Sequence, residues 1–357
     1  MKNILVTGGA GFIGSNFIHY LLRNEYGVNI INLDMLTYAG SMENLKDLPD
    51  QERHIFVHGD ICDQALVDMI FHTYEIDTIV HFAAETHVDR SIHAPKKFVQ
   101  TNVMGTLTLL EVARKYWIEK STVGLENVRF HHVSTDEVFG SLKAGDPPWV
   151  ESTPYAPNSP YSASKAASDH LVRSYHHTYG IPVTISNCSN NYGPRQFPEK
   201  MIPLMILNML AGNRLPIYGD GQQIRDWIYV EDHCEGIHLV IKDGIPGQTY
   251  NFGGGNEPSN IELLKTLCNI MKGKRPGPDE DYYESLILYV ADRPGHDRRY
   301  AMNITKAHKE FGWEPQHNLE AGLTRTVSWY LDNPKWLKLI TGKPEYQEWL
   351  KKNYNNR

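Results

Sequence analysis

The chain is poor in cysteine, and the few it has build nothing: Cys62, Cys188, Cys234 and Cys268 lie far apart, with no CxxC pair. That spacing excludes a disulfide framework and a cysteine-based zinc site, and it fits a reducing compartment such as the cytoplasm. No HExxH or comparable spacing accompanies the seventeen histidines, so no metal is expected. The adjacent pairs His131/His132 and His176/His177 read instead as strand packing and a solvated helix face. An excess of positive charge is also missing: the formal net charge is -7 with basic residues dispersed, which argues against a nucleic-acid surface. The opening apolar run, Ile4-Leu5-Val6, breaks at Thr7-Gly8-Gly9, too short for a signal peptide or a membrane span. Internal repeats and low-complexity tracts are absent.

What is there is ordinary globular material. With 357 residues, 41% hydrophobic and 22% charged, the chain is long enough for two domains and a large core. Apolar, β-branched runs at Asn3–Thr7, Val28–Asp34, His54–Asp60, Thr78–Ala84, Val128–Thr135 and Val183–Asn187 alternate with helical stretches. This alternation predicts an α/β fold, a Rossmann-type doubly wound parallel sheet, with ligands at the carboxyl ends of its strands. After about Asn190, Pro194, Pro198, Pro203 and Pro216 break the rhythm, which predicts a smaller mixed α/β substrate-binding domain. The expected division is 1–190 for the dinucleotide domain, with segments of about 229–255 and 315–340 returning to it. Residues 191–228 and 256–314 then form the second domain.

Gly8, Gly11 and Gly14 follow the first strand and open a helix, where free N–H groups and the helix dipole receive a pyrophosphate. Asp34 ends the second strand twenty positions after Gly14, placed to hold an adenosine ribose and repel a 2′-phosphate. NAD is therefore the expected cofactor. Asp60 and Ile61 close the third strand, and Phe82, Ala83 and Ala84 the fourth, where small residues admit the cofactor. Plain strand-end geometry is the competing reading of each taken singly.

Tyr161 and Lys165 stand four apart on a predicted helix, hence on one face. A free tyrosine titrates near pH 10, so the Lys165 cation and a positive nicotinamide are expected to lower the phenol. Tyr161 then takes a proton from a hydroxyl as hydride leaves the same carbon. Ser134, Thr135, Asp136 and Glu137 close the fifth strand. Alcohol oxidation needs only the hydroxyl, whereas an acid and a base permit elimination of water once a ketone has acidified the neighbouring C–H. Consecutive strand residues face opposite sides, so the two carboxyls cooperate only if the chain turns there. Glu85 and Asp89 rank below them.

At these residues the chain resembles the extended short-chain dehydrogenase/reductase family, and within it the nucleotide-sugar 4,6-dehydratases. The likeness runs nearly end to end: TGGAGFIG, DMLTYAG, AAETHVDRSI, HHVSTDEVFG, SPYSASKAASDHLVR, NCSNNYGPRQFPEKMIPLMI, GDGQQIRDWIYVEDH and ADRPGHDRRYA. The triplet Thr135-Asp136-Glu137 discriminates, because sugar epimerases of the family lack the carboxylate pair and GDP-mannose dehydratases resemble T-S-E. The resemblance implies dTDP-glucose as substrate, with Thr135 on the sugar O4, Asp136 as acid at O6 and Glu137 as base at C5.

It further implies cofactor contacts at Phe12, Ile13, Asp34, Met35, Leu36 and Thr37, then at Asp60, Ile61, Phe82, Ala83 and Ala84. Glu85, Thr86, Thr101, Tyr161, Lys165 and Asn191 complete that set. Substrate contacts carry over onto Thr86, Asn190, Lys200, Met201, Pro216, Ile217 and Tyr218, and onto Arg225, Asn260, Asp292, Arg293, Pro294, Gly295 and His296. The guanidinium forks of Arg225 and Arg293 suit a diphosphate, against the plainer reading as surface charge. Arg195 and Gln196 depart from the Tyr-His of many relatives. The family also implies a homodimer through helices at Thr101–Tyr116 and Ser159–Tyr179. A nucleotide-sugar 4-epimerase or decarboxylase, and a non-catalytic dinucleotide sensor, are the rival readings.

Overall fold

The computed structural model describes residues 1–121, 123–292, 296–344 and 346–348. Each apolar run becomes a strand: β1 (Asn3–Thr7), β2 (Asn29–Asp34), β3 (His54–His58), β4 (Thr78–His81), β5 (Arg129–Thr135) and β6 (Val183–Cys188). The short strands β7 (Asn190–Tyr192), β8 (Leu215–Tyr218), β9 (Trp227–Tyr229), β10 (Thr249–Phe252) and β11 (Ile287–Val290) follow. A seven-stranded sheet runs in the order β10-β6-β5-β4-β1-β2-β3, every pairing parallel. The winding reverses between β1 and β4, and the crevice there is where ligands of such sheets bind. β3 and β4 stop at His58 and His81, so Asp60, Ile61, Phe82, Ala83 and Ala84 lie just past the strand ends rather than in them.

The glycine turn is fixed by close approach. Gly8 has φ 72°, and a Cβ on it would fall 2.7 Å from Ala83 N; one on Gly14 would fall 2.3 Å from Gly8 O. The helix Phe12–Asn24 starts at once, burying Phe17, Ile18, Leu21 and Leu22 against Ile4, Val6 and Ile30. The same core takes Val230, Cys234, Ile237 and Ile241 of the helix Val230–Asp243, so segment 229–255 supplies the sheet layer with a helix and the edge strand β10. Each such apolar side chain, fully buried, contributes about 1.5–3 kcal/mol.

Segment 315–340 places its longest helix away from the sheet. The helix Leu319–Asp332 buries Leu323, Val327 and Tyr330 in a second core with Leu204, Met205, Leu264 and Leu267, from the helices Met201–Ala211 and Asn260–Lys274. Conversely, Ala307 and Trp313, expected in the second domain, pack with Cys188, Val240, Tyr250 and Phe252 at the sheet's β10 edge. An amphipathic period shows which face of a helix is buried, not which element buries it. Among the described residues no helix is long and apolar enough to cross a membrane.

Candidate active site

The carboxyl ends of β1, β2, β4 and β5 open into one cleft of about 380 Å³, lined from Gly8 and Asp34 to Thr135, Tyr161 and Lys165. Every residue expected at the cofactor lines it except Leu36. Leu36 sits at φ 50° with its side chain packed against the core of the first sheet layer, and its N–H donates to Asp34 Oδ1 at 2.8 Å. Asp34 Oδ2 accepts the Ala10 N–H at 2.9 Å, so this carboxylate ties the glycine turn to the loop after β2. Each oxygen keeps a second lone pair for a ligand hydroxyl. Gly11, at the N-cap of the helix Phe12–Asn24, provides no side-chain cap. Its first N–H groups and dipole are therefore presented to the cleft, and a dinucleotide's pyrophosphate and ribose fit this cradle.

Thr135, the last residue of β5, caps a one-turn 3-10 segment, Asp136–Phe139, its Oγ1 accepting the Glu137 N–H at 3.3 Å. The chain thus turns where cooperation of the two carboxyls requires it. Asp136 is 2% exposed. Burial, then the Glu137 and Asp226 carboxyls, push its own carboxyl well above the usual range, a shift that favours its neutral form. The Thr135 hydroxyl donates to its Oδ1 at 3.3 Å, and Oδ2 is buried without a hydrogen-bond partner among the described residues.

Ser159 begins the helix Pro160–Tyr179 with a capping box closed by Ser162, and Pro160 pre-sets the first turn. Tyr161 and Lys165 then project one turn apart into the cleft. Lys165 Nζ donates to Val133 O at 2.9 Å and lies 3.2 Å from His132 Nε2. Burial lowers its ammonium to about 8, leaving it charged at neutral pH. Among the protein's own groups, burial, then the Glu137 carboxylate, push the Tyr161 phenol well above its ordinary value, and a hydrogen bond from Thr135 only partly opposes them. The Lys165 cation spends its hydrogen bonds on β5 rather than on the phenol.

Sequence reading passed over three residues here. His132 does more than pack, since its ring faces Lys165, and Asp169 Oδ1 lies 3.2 Å from its Nε2. Asp169 follows Lys165 by one helical turn, so the spacing Tyr161, Lys165, Asp169 was there to be read. Its Oδ2 accepts the Ser134 hydroxyl at 2.7 Å. Glu199, also on the cleft wall, pairs with Arg90 at 3.2 Å and accepts the Tyr38 hydroxyl at 2.9 Å; long-range pairings of this kind leave no local signature. Glu85 pairs with Lys97 at 2.7 Å.

The residues expected at the substrate fall into two groups. Thr86, Thr135, Asn190, Lys200 and Met201 line the cleft, Lys200 Nζ donating to Thr86 O at 3.3 Å. Pro216, Ile217, Tyr218, Asn260, Asp292 and His296 do not line it, and belong to the lobe around the parallel pair β8/β11. There His296 Nδ1 lies 2.6 Å from Asp292 Oδ1, its ring edge-on to Tyr218, and Gln223 donates to Asp292 Oδ2 at 3.0 Å. Arg225 stands between the groups, 4.2 Å over the Tyr300 ring and among the charges that act on Asp136. Arg293, Pro294 and Gly295 lie outside the described residues. Arg195 turns from the cleft toward Asn16, whereas Gln196 lines it.

A sequence model of the family described as GDP-mannose 4,6 dehydratase matches residues 5–326. A dTDP-glucose 4,6-dehydratase of Salmonella typhimurium is 50% identical over 362 residues, covering 99% of each chain. The crystal structure of a Streptomyces venezuelae dTDP-glucose 4,6-dehydratase, with NAD bound, superposes with TM-score 0.85 at 46% identity, covering 95% of this chain and 99% of that one. A UDP-glucose 4-epimerase of Thermotoga maritima reaches TM-score 0.81 at 31% identity over 93% of this chain and 99% of its own. The epimerase shares the architecture, but the full-length dehydratase likeness is much the stronger in sequence, and the chain belongs to the dTDP-glucose 4,6-dehydratase family of the extended short-chain dehydrogenase/reductases.

Proposed function

We infer that the enzyme holds NAD in the cleft and converts dTDP-glucose to dTDP-4-keto-6-deoxyglucose and water. The observation that carries this reading is the Thr135–Glu137 turn, which sets Asp136, its carboxyl pushed up by burial, beside Glu137 in the cleft that holds Tyr161 and Lys165. NAD, when bound, accepts the C4 hydrogen as hydride, returns it to C6, and with its positive ring favours the Tyr161 phenolate.

The side chains do the rest. Tyr161 takes the O4 proton, with Thr135 holding O4 and the buried Lys165 cation supplying charge nearby. The resulting C4 ketone acidifies the C5 hydrogen, which Glu137 removes as a proton. Asp136 gives its proton to O6, the C6–O6 bond breaks, and water leaves. A proton then returns to C5, and the hydrogen that left C4 is bonded to C6. No net oxidation results. The lobe built on the second core, with Arg225, Asn260 and the β8/β11 group, receives the nucleotide diphosphate.

Turnover of dTDP-glucose deuterated at C4 tests this reading. The product is expected to carry the deuterium at C6, with no stoichiometric reduced NAD released. Deuterium back at C4 would mark an epimerase, and stoichiometric release a plain dehydrogenase.

A homodimer through the helices at 101–116 and 159–179 belongs to the same proposal. The neighbouring Val99 and Met104 and, on the second helix, Tyr179 are 51%, 43% and 43% exposed, which supports it. Light scattering is expected to give twice the 40.8 kDa chain mass. A monomer would remove this part of the reading alone.

A further inference from the structure

The loop after β2 brings Met35, Thr37, Ala39 and Gly40 to the cleft wall beside Asp34. Its backbone is not at ease, because Leu36 holds φ 50°, a left-handed conformation that a leucine keeps only when its surroundings enforce it. The loop is held locally by the Leu36 N–H on Asp34 Oδ1, and also from some three hundred residues further along. Lys343, just after the helix Pro334–Thr341, donates from Nζ to Gly40 O at 2.8 Å and Tyr38 O at 3.4 Å.

On the same helix Trp336, 6% exposed, donates its indole N–H to Asn44 Oδ1 at 2.7 Å. Asn44 Nδ2 in turn donates to Ala10 O at 2.8 Å, inside the glycine turn. One helix and the turn beyond it therefore grip both walls of the ribose end: the loop directly, and the glycine turn through Asn44.

We propose that the helix Pro334–Thr341 and Lys343 form a latch on the cofactor loop, and that Lys343 and Trp336 set how long NAD stays bound. The proposal rests on the NAD reading above. Its use follows from the chemistry: the cofactor ends each turnover in its starting oxidation state, so nothing requires its release. A cofactor lost between the two hydrogen transfers would strand the oxidised sugar. Neither residue touches the reacting atoms; both are positioning residues.

The test is the exchange rate of labelled NAD from the loaded full-length enzyme, diluted into excess unlabelled NAD. Lys343→Met keeps the aliphatic stem and removes the donors, and Trp336→Phe keeps an aromatic ring and removes the N–H. Lys343→Met is expected to speed release roughly tenfold, what losing hydrogen bonds worth about 1.4 kcal/mol converts to. Trp336→Phe is expected to act in the same direction, and Lys343→Arg to restore slow release, which a general loosening of the fold would not do. Parental exchange in both Lys343→Met and Trp336→Phe overturns the latch, as does acceleration that Lys343→Arg leaves uncorrected. A parent enzyme that takes up no NAD overturns the cofactor reading itself, and is distinguished by that.

Discussion

Tyr161→Phe is expected to slow reduction of the bound cofactor by dTDP-glucose about 10³-fold, within the 10²–10⁴-fold range of a positioned acid–base group. The substitution removes one oxygen and little else. The ring packs edge-on to Phe98 with centroids 6.2 Å apart, and phenylalanine keeps that contact, so the fold and NAD uptake should survive. Rapid mixing of NAD-loaded variant with substrate, followed by reduced-nicotinamide absorbance, reads the step directly. Parental reduction kinetics would take the proton from O4 by some other group and remove Tyr161 from the role.

Glu137→Gln is expected to divide the reaction. Oxidation at C4 depends on Tyr161 and proceeds, so the bound cofactor is still reduced, while exchange of the C5 hydrogen with solvent deuterium falls about 10²–10⁴-fold. The Asp136 carboxyl is expected to stay raised in this variant, because burial is the first cause of its shift and the Glu137 charge only the second. The same carboxylate is the second cause that pushes the Tyr161 phenol up. Removing it lowers the phenol, and the pH profile of the oxidation step should move to lower pH. C5 exchange at the parental rate would mean that Glu137 is not the base.

Much of this site was legible because its residues lie at strand ends and at fixed spacings. Gly8, Asp34 and Thr135 end or follow parallel strands, and parallel strands deliver their carboxyl ends to one edge whatever the helices between them do. The turn at Asp136 was legible only as a requirement. The two carboxyls had to share a side, and the 3-10 segment capped by Thr135 is how the backbone meets it. The surroundings of Tyr161 were less legible, because spacing shows that two side chains share a face, not that they touch. Lys165 turned to Val133 O instead, and burial, which no local pattern measures, dominates the phenol.

By itself the sequence determined the sheet, its parallel sense and the glycine cradle, and it singled out the candidate reacting side chains, because these follow from short-range periodicity and from contacts within one βα unit. Tertiary structure alone decided which core receives each amphipathic helix. It placed Leu319–Asp332 in the second core and Ala307 and Trp313 at the sheet edge. It also set Asp169 and His132 behind Lys165, pushed the Asp136 carboxyl up by burial, and brought Lys343 and Trp336 onto a segment some three hundred residues earlier. These depend on which surfaces exclude water from one another, and burial is a property of the folded assembly of elements, not of any one of them.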